Sequence, residues 1–287
     1  MKKALLVVLL FVLMLSRGYA AQSVITEAEG YACQGEDKSR RQTEQAATAD
    51  AKRKAVEQVS TYVTSETEVK DFTLQKDLVQ AYSRATVKVV QEIEKGWYRD
   101  TTLGDCYRIK VKAEVIPDGR AMATIAKGKA ADDPSAPLYV QVWTDKHAYE
   151  SGEKVKVYLK GNKPFYATIL YKDAGGKLLQ LLPNPHRKDN YFNGGVVYEV
   201  PAGNDRFDLE VTPPFGEEQV IVFAGTTPLG EVDIAERGGL FEVKTRSSEV
   251  AERTRGVKLI SKSGNTGAAA AEFFEGKATL KTGGGKL

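Results

Sequence analysis

The chain predicts an α+β N-terminal domain, helices on an antiparallel sheet, followed by an all-β sandwich of immunoglobulin-like type. Three observations carry this. Ala51, Ala55, Val59 and Val63 recur every four residues, which marks a long helix with a single buried stripe. Tyr107, Ile109, Val111, Ala113 and Val115 alternate with charged or polar residues, the pattern of a strand with one buried and one wet face. Beyond residue 136, seven short apolar runs are separated by turn residues and no helical spacing intervenes.

The elements follow in order. "MKK", the apolar run "ALLVVLLFVLML" and the small residues of "SRGYAAQ" have the layout of a cleaved secretory signal over residues 1–20. The run is short for a membrane span, and no second long apolar run follows it. The expectation is cleavage after Ala20 or Ala21, export to the periplasm or outer-membrane periphery of a bacterial envelope, and no transmembrane span after cleavage. Three of the 41 basic residues, Lys2, Lys3 and Arg17, leave with the leader, so 38 remain against 38 acidic residues. A formally neutral chain gives no electrostatic case for nucleic acid, which requires a net basic stripe.

Residues 22–118 read as one α+β unit. "SVITEAEGYA" is its first strand, and Ser39 and Gln42 have the spacing of a capping box ahead of the alanine-striped helix. Leu78, Tyr82, Ala85 and Val89 suggest a second, shorter helix, and "VKVVQEIEKGWYRD" with "CYRIKVKAEVI" a long hairpin. Cys33 and Cys106 stand in the first and last strands of this unit. In an oxidising compartment two such thiols are expected to pair. Residues 119–136, small and polar with Pro134, read as a linker with a short helical start. Residues 137–232 hold the seven runs, "LYVQVW", "KVKVYL", "FYATILY", "KLLQLL", "VVYEV", "RFDLEV" and "QVIVFA". Residues 233–287 are the least legible, with one short strand expected at Ala278–Leu280 and a flexible tail.

The second half resembles a known family. "TDKHAYESGEKVKVYL", "FYATILYKDAGGKLLQLLPN", "EVPAG" and "PPFGEEQVIVFA", over residues 137–229, resemble the bacterial domain of unknown function numbered 4384. That resemblance implies an accessory, non-catalytic module and carries no catalytic residues across. "AATADAKRKAVEQV" and "DCYRIKVKAEV", within residues 24–117, more weakly resemble the N-terminal domain of flagellar-ring and outer-membrane accessory proteins of the FlgT and LPP-twenty kind. That second resemblance implies envelope assembly or surface association.

Motifs for chemistry are sparse. His147 and His186 stand outside any H-E-x-x-H, and no G-x-S-x-G, P-loop or C-x-x-C spacing occurs. The expectation is a protein that is not an enzyme and takes no cofactor or metal. It would act as an interaction or assembly module for an envelope protein partner. The alternative is a periplasmic binding protein for a glycan, peptide or metal, and the third reading is a hydrolase with an unrecognised site. Asp145, Glu150 and Glu153 in "DKHAYESGE" could hold calcium, yet the spacing favours a turn with Tyr149 tucked inward and Gly152 at the tight backbone. Trp97, Tyr98 and Tyr107 could form a sugar platform, though alternating hairpin positions favour packing.

The candidate partner-binding residues are His186, Arg187, Lys188, Tyr191 and Phe192 of "LLPNPHRKDNYFNGG", with Phe215 on "TPPFGEE". Counting seven crossing strands places these two loops and "GNKP" at one end of the sandwich. Pro183 and Pro185 would stiffen the longest loop, and Arg and aromatic residues are enriched at interface anchors. The competing reading folds Tyr191 and Phe192 back as a plug over the core.

Overall fold

A computed structural model describes residues 21–36, 38–67, 72–126, 131–237, 240–245, 247–255 and 270–285. The secretory leader expected at residues 1–20 lies outside them. The first unit runs β1 (Ala21–Cys33), α1 (Arg40–Thr67), α2 (Phe72–Ser83), β2 (Thr86–Asp100), β3 (Gly104–Ile116) and α3 (Gly119–Ala126). The capping box forms: Ser39 N donates to Gln42 Oε1 at 2.8 Å and Gln42 N to Ser39 Oγ at 3.3 Å. The second helix ends at Ser83, so Ala85 falls in the connection and Val89 on β2. Ala47, Ala51, Ala55, Val59 and Val63 are buried against the inward face of β3, from Tyr107 to Val115. The opposite face of that sheet is a charge ladder, with Lys110–Glu27 at 2.8 Å, Arg108–Glu29 at 3.5 Å and Arg108–Glu94 at 2.8 Å.

Cys33 and Cys106 face each other across β1 and β3 and form a disulfide 73 residues apart. Titration of denatured, unreduced protein should find no free thiol. Replacing both cysteines by Ser should lower the unfolding free energy by about 4 kcal/mol, the chain-entropy value for a loop of this length. Two reactive thiols per chain would refute the bridge.

The second unit contributes β4 (Val140–Thr144), β5 (Ala148–Glu150), β6 (Val157–Gly161), β7 (Phe165–Lys172), β8 (Leu178–Leu182), β9 (Tyr191–Phe192), β10 (Val197–Val200) and β11 (Glu217–Gly225). There follow β12 (Ile234–Arg237), β13 (Leu240–Val243), α4 (Ser247–Thr254) and β14 (Ala271–Gly283). Six of the seven expected runs are strands. "RFDLEV" is not; it makes an isolated bridge, Lys154 to Glu210.

The architecture is β-rich, dominated by one curled sheet of eleven strands. Its path is β12-β13-β8-β7-β11-β14-β1-β3-β2, with β5 on β14 and β9 on β7. A separate sheet, β10-β6-β4, packs over part of it and encloses a core that includes Leu159, Phe165, Ile169, Phe192, Val222 and Phe274. The helical layer covers the same face further along, because Val24 of the helix-side core pairs with Glu272 and Gln22 with Phe274. A third cluster, with Leu170, Phe223, Val232, Val250 and Phe273, lies on the opposite face under α4.

The joint between the halves is β14. In place of the short strand expected at Ala278–Leu280, thirteen residues are extended, pairing with β1 on one side and β11 on the other. The first half of the strand is hard to read because both faces are buried there: Phe273 and Phe274 are each 1% exposed, so alternation appears only from Lys277 onward. Its acids pin the layers. Glu272, buried, accepts from Leu138 N at 2.5 Å, Tyr62 Oη at 3.0 Å and Lys163 Nζ at 3.0 Å. Burial and the Glu272 carboxylate push the Tyr62 hydroxyl well above its ordinary range. On the other face Arg255 pairs with Glu114 at 2.9 Å and Glu275 at 3.5 Å, and lies over the Phe273 ring.

Candidate binding cleft

The loop after β8 begins where the ladder must stop. Pro183 and Pro185 have no N–H to donate, and the chain leaves the β7 edge at Leu182, opposite Ile169. Asn184 then shapes the excursion. Its Oδ1 accepts from the backbone N–H groups of His186 and Arg187, both at 2.8 Å, and its Nδ2 donates to Leu181 O at 2.6 Å. The chain rejoins the same edge at Asn190, which accepts from Ala167 N at 2.9 Å and returns its side-chain amide to Ala167 O at 3.1 Å. β8 and β9 thus lie end to end along one edge of β7, with Thr168 at the gap between them.

A cleft of about 440 Å³ opens at this gap. One wall is the 183–190 loop; the other is residues 228–234, tied down by Gly230 N to Thr254 O at 3.0 Å and Asp233 N to Thr245 Oγ1 at 2.9 Å. Leu229, Val232 and Phe241 give it an apolar lining, and Thr168, Gln180 and Asn190 add neutral polar groups. Lys188 stands on one wall and Glu231 on the other, both exposed and neither ion-paired among the described residues.

The structure divides the candidate residues. Lys188 lines the cleft. Tyr191 is 42% exposed beside it, with its ring 5.1 Å from that of Tyr166. Phe192 is fully buried, stacked on Phe165 at 5.1 Å and edge-on to Tyr198, so it is the plug. Arg187 is scaffold: it pairs with the buried carboxylate of Asp205 at 3.1 Å and covers the Phe192 ring. His186 is exposed and lies over Phe207.

Phe215 does not join this group, a correction to the single-end arrangement. Its loop precedes β11, near Lys172 and Ala174, whereas the cleft opens at Thr168, roughly 13 Å back along β7 from Lys172 at 3.3 Å per residue. The count of crossing strands fails for two reasons. β8 and β9 share one edge, and "RFDLEV" makes only the bridge at Glu210. Sequence reasoning also missed Thr168, Asn190 and the whole 228–234 wall. Gln180 was the visible hint, a lone amide in the apolar run "LLQLL" that ends up 8% exposed.

The other two candidates are drawn into packing. Asp145 accepts from Tyr149 Oη and Lys156 N, both at 2.8 Å, and Glu153 from Lys146 Nζ at 2.6 Å and Glu150 N at 2.8 Å. Burial and the Asp145 carboxylate push the Tyr149 hydroxyl up to about 12. Gly152 takes the left-handed backbone of this turn at φ 83°. Trp97 and Tyr107 pack together at 5.3 Å, with the Trp97 indole donating to Glu44, while Tyr98 is exposed.

No curated protein and no solved structure matches the chain. Residues 148–228 match the family described as Domain of unknown function (DUF4384), a stretch that runs from β5 through β11 and includes the loop walling the cleft.

Proposed function

We propose that this protein is a non-catalytic recognition module of a bacterial cell envelope, exported by its leader and engaging an envelope partner through the cleft beside the 183–190 loop. On this reading the two-layer β body is an immunoglobulin-like module, and the N-terminal unit is an assembly-type mount like those of flagellar and outer-membrane accessory proteins. The observation that supports it is the preorganisation of the cleft. Both walls are held by hydrogen bonds to buried structure, so little ordering entropy opposes binding. The exposed residues at its mouth, Lys188 and Tyr191, make no ion pair and no buried core contact among the described residues, so their loss should not unfold the chain.

The test is a double variant, Lys188→Ser with Tyr191→Ser, leaving Arg187 in place because its ion pair with Asp205 supports the loop. The melting temperature should stay within about 2 °C of the parent, as expected for surface changes worth under ~0.5 kcal/mol. Material captured from envelope extract should fall several-fold. Unchanged capture would overturn the reading.

A further inference from the structure

We infer that the ligand of the cleft is a saccharide, a deduction that rests on the recognition reading above. The polar groups inside the cleft decide it. Thr168 is 6% exposed, and its hydroxyl has no hydrogen-bond partner among the described residues. Gln180 is 8% exposed; its amide nitrogen donates to Pro183 O at 2.7 Å, leaving Oε1 without a donor. Asn190 likewise commits its nitrogen to Ala167 O, leaving Oδ1. Three uncommitted oxygens therefore border one apolar-lined space, two of them on side chains more than nine-tenths buried. None of the three is sealed from solvent, so each takes water in the open cleft and can exchange it for the hydroxyl donor of a ligand.

The aromatic shelf beside the cleft completes the match. Phe165, Ala167 and Ile169 of β7 point into the two-layer core, so Tyr166 and Thr168 share the opposite face. Tyr191 pairs with Tyr166 in register and is 42% exposed, which places an open ring about two residues from the Thr168 hydroxyl. A pyranose offers a C–H face to such a ring and hydroxyls to the oxygens beyond it. An extended peptide fits less well. It would seek a free strand edge, and at Leu179 and Gln180 the outer edge of β8 is already paired with β13. Charged ligands gain little, because Lys188 and Glu231 oppose each other across the mouth.

The experiment uses the full exported chain, titrated calorimetrically with neutral oligosaccharides of two to four hexose or N-acetylhexosamine units, and in parallel with uncharged tetrapeptides. At least one saccharide should bind. Thr168→Val keeps the side-chain shape and removes a hydroxyl that no group among the described residues uses, so it should fold normally and weaken binding about tenfold, near the upper worth of one neutral hydrogen bond. Tyr191→Ala should weaken it comparably. Saccharide binding insensitive to both variants would place the site elsewhere and overturn the inference. Binding of the tetrapeptides alone, or of no probe, would overturn the saccharide assignment. In either case the capture result with Lys188→Ser and Tyr191→Ser separately decides whether the recognition reading stands.

Discussion

A chain ending at residue 270 is expected to lose its cooperative unfolding transition in both halves. β14 pairs with β1 over residues 271–275, with β11 over residues 273–281 and with β5 over residues 281–283. Its removal takes Phe273, Phe274 and Leu280, each 1% exposed, out of two separate cores. Truncating one buried Phe to Ala costs about 3–5 kcal/mol, so the combined loss rivals the ~5–15 kcal/mol that holds a whole domain together. Glu272 and Glu275 leave too, which strands Lys163 (11% exposed) and removes one carboxylate from Arg255. Thermal unfolding followed by circular dichroism should show no sharp transition, and amide exchange should be fast in β1 and β11 alike. A truncated chain that melts cooperatively near the parent temperature would refute this. The same reasoning applies to a fragment of residues 137–232, which the sequence presents as self-contained but which has no partner for the β14-facing edge of β11.

Gly30→Ala is expected to be the most damaging single substitution in the N-terminal unit. A Cβ at Gly30 would lie 2.2 Å from Ala47 O and 2.3 Å from Ala51 N, both backbone atoms of α1. No side-chain rotation relieves that contact, so helix and sheet must separate along the whole alanine stripe. Overpacking of this kind costs ~3 kcal/mol or more, and for a chain of this size the melting temperature should fall by about 10 °C. Gly96→Ala is the control, since nothing lies within 4 Å of the point where its methyl group would sit, and the same added group should leave the melt unchanged. Equal melts for the two variants would show that α1 does not approach β1 as closely as described.

Much of the fold follows from local pattern. Helix α1 with its cap, the β2–β3 hairpin, the Cys33–Cys106 pair and six of seven runs in the second half are legible because each buries one face, and a half-buried element writes its period into the residues. Phe192 as a plug is one of two readings open at that level; its stacking on Phe165 decides between them. What only the tertiary structure decided concerns elements without such a period, or groups brought together from distant segments. The first half of β14 is buried on both faces, so its apolar and charged residues fall on no single side, and its place between the halves depends on pairing with strands far away in sequence. The cleft joins Thr168 and Gln180 to residues 228–234, and their chemistry depends on which polar atoms the folded chain leaves uncommitted. Local sequence sets what each segment prefers to bury; which oxygens remain free is settled only when the segments meet.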